Sequence, residues 1–135
     1  MFELHPQLAA DTVEVTRFDL CRVLLMNDRQ YPWLILVPER SGLRDLHDLA
    51  PADRPMALAE IMRASQTLAA LHAPDKMNVA ALGNAVPQLH IHVIARFATD
   101  PAWPRPAWGV RPVQPYGEEA LASALVRLRD ALGSG

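Results

Sequence analysis

The sequence predicts an α+β fold, an antiparallel sheet of about five strands with two main helices. Two observations predict it. Short apolar runs, several of them β-branched, are separated by turn formers, while two longer stretches carry apolar side chains at helical spacing. These segments follow one another in the order strand, hairpin, helix, hairpin, helix, which suits an antiparallel sheet backed by helices.

The elements follow in order. "TVEV" (12–15) alternates and reads as a short strand. "LCRVLLM" (20–26) and "WLILVPE" (33–39) flank "NDRQYP" (27–32), a segment rich in turn residues, and read as a hairpin with a longer loop. "SGLRDLHDL" (41–49) reads as a loop with a helical turn. Residues 51–72 read as a helix: Pro51 suits its first turn, Pro55 is tolerable only near that end, and Met56, Ala59, Met62, Leu68 and Leu71 recur at roughly helical spacing. "KMNVAAL" (76–82) reads as a strand, "GNAVP" (83–87) as a turn and "QLHIHVIARF" (88–97) as another strand. Residues 101–117 hold five prolines and two tryptophans, Trp103 and Trp108, too many prolines for a regular helix or central strand. The aromatic content predicts an ordered loop hugging the surface. Residues 118–133 close the chain as a helix, with Leu121, Leu125, Leu128 and Leu132 in one stripe, Glu118 and Glu119 at the N-terminus and Gly133 at the end.

The bulk numbers bound the function. A chain of 135 residues suits one domain over residues 1–135 with one sizeable core. A formal charge of −2 leaves no basic footprint for nucleic acid, although a local site for a phosphate-bearing small molecule is compatible with it. The lone Cys21 excludes an internal disulfide and, inside an apolar run, reads as a buried reduced thiol. The cytoplasm fits this best. The N-terminus lacks a basic segment followed by an apolar one, so no secretory signal is expected. No apolar run approaches the ~20 residues that cross a bilayer.

The chemistry concentrates in residues 86–97, "VPQLHIHVIARF". Alternate side chains of a strand share a face, which puts Gln88, His90 and His92 together and Leu89, Ile91 and Val93 on the opposite, core-facing side. Same-face neighbours lie ~7 Å apart, about the span of a phosphate and its substituents. Two imidazoles at that spacing can divide labour, one as nucleophile and one as proton donor or charge stabiliser. In the preceding turn, Gly83 permits unusual backbone angles and Asn84 offers amide donors, so backbone N–H groups there can form a nest for an anion. The same His-x-His pair could instead supply two ligands to zinc, a reading that needs a third ligand, and no candidate among His5, His47, His72 and the carboxylates has a telling spacing.

The stretch "NAVPQLHIHVIARF" resembles the signature of the histidine-triad superfamily of nucleotide hydrolases and transferases, whose strand reads His-x-His-x-His followed by apolar residues. The likeness runs upstream through "VLLMNDRQYPWLILVPER" and "LHDL" and covers roughly residues 18–97. It implies a histidine-triad-like α+β fold, usually a homodimer. It implies that His90, at the middle position, attacks phosphorus to give a nucleotidyl-histidine that water hydrolyses, with His92 stabilising phosphate charge or assisting the leaving group. It sets Asn27 at a position that contacts the nucleotide sugar, Asn84 in place of a glutamine near the phosphate, and Asn78 near a further polar position.

Two departures shape the expected substrate. Gln88 stands where the first histidine of the triad would be, and glutamine cannot titrate. Ala85 stands where a hydroxyl residue is often found. Weak proton delivery then favours substrates with a good leaving group, such as dinucleoside polyphosphates, over simple amidates. The chemistry requires no metal, although a divalent cation can travel with a polyphosphate. The rival readings are a nucleotide-binding protein with little or no catalysis and a zinc-dependent hydrolase. Arg96 is read as a surface ion pair ahead of a phosphate-steering group, and His5, His47 and His72 as surface or capping residues.

Overall fold

The structure, a computed structural model, describes residues 1–133. Five strands form one sheet in the order β1-β2-β3-β5-β4. They are β1 (Thr12–Arg17), β2 (Cys21–Met26), β3 (Trp33–Pro38), β4 (Lys76–Ala80) and β5 (Ile91–Arg96), and every neighbouring pair is antiparallel. The helices are α1 (Pro6–Asp11), α2 (Arg54–His72) and α3 (Glu118–Leu132). The α+β fold with an antiparallel sheet and two main helices is therefore present, and α1 is an addition that the sequence pattern did not announce. That helix is short enough to depend on its cap: the Nδ1 of His5 accepts from the Gln7 N–H at 3.0 Å, and a proline opens the first turn.

Each sheet face has its own core. On the back, Val23, Leu25, Leu34, Leu36, Leu89, Ile91 and Val93 pack with Ala57, Ala64 and Leu68 of α2 and Leu128 and Leu132 of α3. On the front, Leu24, Trp33, Ile35, Val37 and Ile94 are covered by Leu8 of α1 and by Ala102 and Ala107 of the proline-rich loop. Strands β3 and β5 are consequently buried along their whole length.

Helix α2 departs from its expected pattern. It starts at Arg54, since Pro51–Asp53 forms a separate 3-10 turn and Pro55, lacking an N–H, fits the first helical turn. Its buried stripe is Ala57, Glu60, Ala64 and Leu68, whereas Met56 and Met62 face outward. Small alanines let the helix lie close to the sheet, and the larger methionines have no room there. Glu60 is buried with full hydrogen bonding: its carboxylate accepts from the N–H groups of Leu20 (2.9 Å) and Cys21 (2.7 Å). Burial, reinforced by that carboxylate, pushes the Cys21 thiol well above its ordinary range, so it is an inert packing residue.

The two sheet edges differ. Strand β1 is closed by α3, whose Arg129 guanidinium donates to the carbonyls of Val15 (2.8 Å) and Glu14 (3.1 Å). Strand β4 lies at the other edge.

Candidate active site

Strand β5 is shorter than the expected 88–97. His92 pairs with Ile35 of β3 and Ala80 of β4, and Ile91 pairs with Leu36. Before that the chain leaves the ladder, because the Leu89 N–H donates to Leu43 O (3.0 Å) in the loop after β3. The alternation survives the departure. Leu89, Ile91 and Val93 enter the back core, while the rings of His90 and His92 meet on the front with centroids 4.8 Å apart.

Each ring has one nitrogen committed to the protein. The Nδ1 of His90 lies 2.7 Å from the carbonyl oxygen of Gln88. A carbonyl only accepts, so this Nδ1 carries the proton and Nε2 keeps its lone pair. The Nδ1 of His92 accepts from the indole N–H of Trp33 at 3.0 Å. Burial, with His90 adding to it, lowers the pKa of His92 to about 4, so this ring is neutral at pH 7. Trp33 and Trp108 enclose it, with ring centroids 5.6 and 4.9 Å from that of His92.

Both histidines line a cavity of about 270 Å³. Its apolar wall is Leu8, Met26, Trp33, Ile35 and Trp108, and its other side is the turn from Leu82 to Val86. Gly83 holds φ at +72°, a conformation costly for a residue with a Cβ, and thereby turns the chain past the histidines. Asn84 and Ala85 belong to that turn, and Asp11 at the end of α1 also lines the cavity, its carboxylate accepting from the Gln7 amide. A flat aromatic group can rest against the tryptophans while an anion meets the imidazoles and the turn. A larger cavity, about 390 Å³, lies between α2 and α3 around Leu68, His72 and Arg127, but it holds no paired imidazoles.

The other expected site residues sit elsewhere. Gln88 turns its side chain to the N-terminal segment, accepting from the His5 N–H and donating to Glu3 O, both at 2.8 Å. Asn27 and Asn78 lie outside the cavity lining. The Oδ1 of Asn27 accepts from the Tyr116 N–H (3.0 Å), and that of Asn78 accepts from the Arg96 guanidinium (2.9 Å). Arg96 forms an ion pair, but a buried one, which corrects the surface reading. Its side chain is 2% exposed and grips Asp100 at 2.8 and 3.0 Å, with a further bond to Arg105 O at 2.7 Å. Burial alone would raise the Asp100 pKa, but the Arg96 bonds and the N–H groups of Phe97 and Trp103 hold it down at about 2. This network pins the loop that presents Trp108.

Trp33, Asp11 and the whole of α1 were missed as site components. Trp33 stood in the sequence as the first residue of an apolar strand, and only its pairing with β5 turns the indole toward His92. For the zinc reading, no three His, Cys, Asp or Glu side chains among the described residues cluster to hold a metal ion.

Comparison with known proteins settles the class. A family model described as HIT domain matches residues 7–99. A histidine triad protein from Marinobacter aquaeolei is 50% identical over 98% of this chain and 96% of its own, with a TM-score of 0.95. One from Bradyrhizobium japonicum is 39% identical over 98% of both chains, also at 0.95. A third, from Sinorhizobium meliloti, is 40% identical over 94% of both at 0.92. A search of curated proteins returned no match. The chain belongs to the HIT domain family of histidine triad proteins. No helix among the described residues is long and apolar enough to cross a membrane.

Proposed function

We propose that this protein is a nucleotide hydrolase that transfers a nucleotidyl group to water through His90. The observation that carries the reading is the 2.7 Å bond between His90 Nδ1 and the Gln88 carbonyl, which leaves Nε2 as a free nucleophile beside a nucleotide-sized cavity. His90 attacks phosphorus, the leaving group departs with the bonding electrons, and water then displaces His90 from the nucleotidyl-histidine. His92 donates from Nε2 to an oxygen on phosphorus, joined by the turn at Gly83 and Asn84. Gln88 acts as a positioning residue, its carbonyl orienting His90 and its side chain holding the segment that leads into α1. Asn27 and Asn78 support the loop that carries Trp108. Neither Gln88, which cannot titrate, nor His92, whose one proton faces the phosphate, can protonate a leaving group, so the favoured substrates are dinucleoside polyphosphates or related conjugates whose leaving group departs as a stable anion. No metal is needed for these steps, and a divalent cation enters only with a polyphosphate.

Replacing His90 with Ala tests the reading: turnover of a dinucleoside polyphosphate falls at least ~10³-fold with the melting curve retained. Turnover equal to that of the parent protein overturns it. A nucleotide-binding protein without turnover is the second reading, favoured by Gln88 and Ala85, and it predicts nucleotide affinity with no product.

A homodimer is part of the proposal. Leu58 (61% exposed), Met62 (52%) and Val79 (48%) set apolar side chains outward on α2 and on the edge strand β4, a surface that a second copy would cover. The buried free Cys21 supports a cytoplasmic setting.

A further inference from the structure

We propose that Trp33 is a positioning residue that fixes His92 as a neutral ring with its proton on Nε2. The inference rests on the 3.0 Å bond from the Trp33 indole N–H to His92 Nδ1. An indole nitrogen donates and never accepts. Its partner must therefore present a lone pair, so the single proton of neutral His92 belongs on Nε2. Adding a second proton at Nδ1 would set two N–H groups head to head in a buried place. Trp33 thus opposes the imidazolium by geometry.

The indole is well held for this task. Trp33 is the first residue of β3, 4% exposed, and pairs across the sheet with Ile94. Tyr31 and Trp108 meet it edge to face, with ring centroids 6.0 and 5.7 Å away. The bond satisfies both partners, since a buried indole N–H left without an acceptor is destabilising. Around His92, the other titratable groups are His90, ring to ring at 4.8 Å, and Asp11 on the wall of the shared cavity.

The consequence bears on the proposed chemistry. A ring held with one proton on Nε2 offers a hydrogen bond to an oxygen on phosphorus and has no second proton to release. His92 then stabilises charge at the reacting centre without serving as an acid. The residue that decides this lies on a different strand from the histidine pair, and the proton on Nε2 stays where it is throughout.

Nitrogen chemical shifts of ¹⁵N-histidine-labelled full-length protein test the inference directly and need no turnover. The expected spectrum assigns His92 an unprotonated Nδ1 and a protonated Nε2 across neutral pH. In Trp33→Phe, which removes the donor and keeps an aromatic ring, the Nδ1-protonated form appears and protonation of His92 moves toward higher pH. A wild-type spectrum with the proton on Nδ1 overturns the proposal, and so does an unchanged tautomer and titration in Trp33→Phe. Because wild-type protein alone gives the first result, a poorly folded variant leaves the test standing. A protein that fails to hydrolyse any nucleotide but shows Nε2–H refutes the functional reading and upholds this one.

Discussion

The Nδ1–H of His90 donates to the backbone carbonyl of Gln88 across 2.7 Å, two residues earlier in the chain. That contact exists because the chain has left the sheet ladder at 88–90: a carbonyl paired with β3 would be engaged elsewhere. The irregular entry to β5 therefore orients the ring. The fold sets one imidazole with a free lone pair beside another whose lone pair is occupied.

Acid should destabilise the protein before its carboxylates titrate. His92 has a folded pKa of about 4 against 6.5 in the unfolded chain. Between those values the unfolded state binds the proton and the folded state refuses it, so stability is full above pH 6.5 and falls as pH drops toward 4. The loss amounts to ~3 kcal/mol. His72, lowered by burial and by Arg127, adds slope of the same sign. Urea unfolding at pH 7.5 and 4.5 measures the sum, and His92→Gln isolates the larger share by flattening the difference. Asp100, held at about 2 in the fold, stabilises above its unfolded value near 3.8 and loses that contribution only as pH falls toward 2, so it does not confuse this window.

Asp100→Asn should cost about 3 kcal/mol or more, since it leaves the Arg96 guanidinium buried without its counter-charge. The loop is also tied by the Gln30 amide to Pro112 O (2.9 Å) and by the Arg29 N–H to Gln114 O (2.7 Å), so it loosens at one end. Denaturant titration gives the energy. Tryptophan fluorescence sums Trp33, Trp103 and Trp108, the last two carried by the loop, and an unchanged spectrum with unchanged stability would contradict the anchoring role.

A leaving group that needs a proton should react poorly. With Gln88 and His92 both unable to supply one, kcat/KM for a dinucleoside polyphosphate should exceed that for a nucleotide amidate of the same nucleoside by ~10²-fold or more, the lower range of what a general acid contributes. Side-by-side initial rates decide it, and faster amidate cleavage goes against the account.

Met62→Glu should separate the proposed dimer. Sedimentation of the wild-type chain should give twice the chain mass, and the variant, whose charge would be trapped in the covered face, should sediment as one chain with its fold retained. Wild-type protein that stays monomeric at high concentration rules out this interface.

Much of the fold was readable because the strands are written in unambiguous apolar runs and the final helix in an unbroken leucine stripe. The facing of α2 was not readable. Its methionines have the larger apolar surface, yet close approach to the sheet selects Ala57 and Ala64, and a buried Glu60 is acceptable only because two backbone N–H groups await it across the turn before β2. At the site, the pairing of His90 with His92 was legible from their spacing. The lock on His92 was not, since Trp33 lies 59 residues away in the chain and only the β3–β5 register brings it near. Arg96 was misplaced for a related reason: a surface strand end becomes interior once the proline-rich loop folds over it.

The most direct measurement is the mass of His90 itself. Brief exposure of the full chain to a dinucleoside polyphosphate, followed by rapid quenching at alkaline pH and peptide mass spectrometry, should reveal one nucleoside monophosphate attached to His90 and none on His92, with no adduct in His90→Ala. Turnover of that substrate with an adduct on another residue, or turnover unchanged by loss of His90, would contradict the account at its centre.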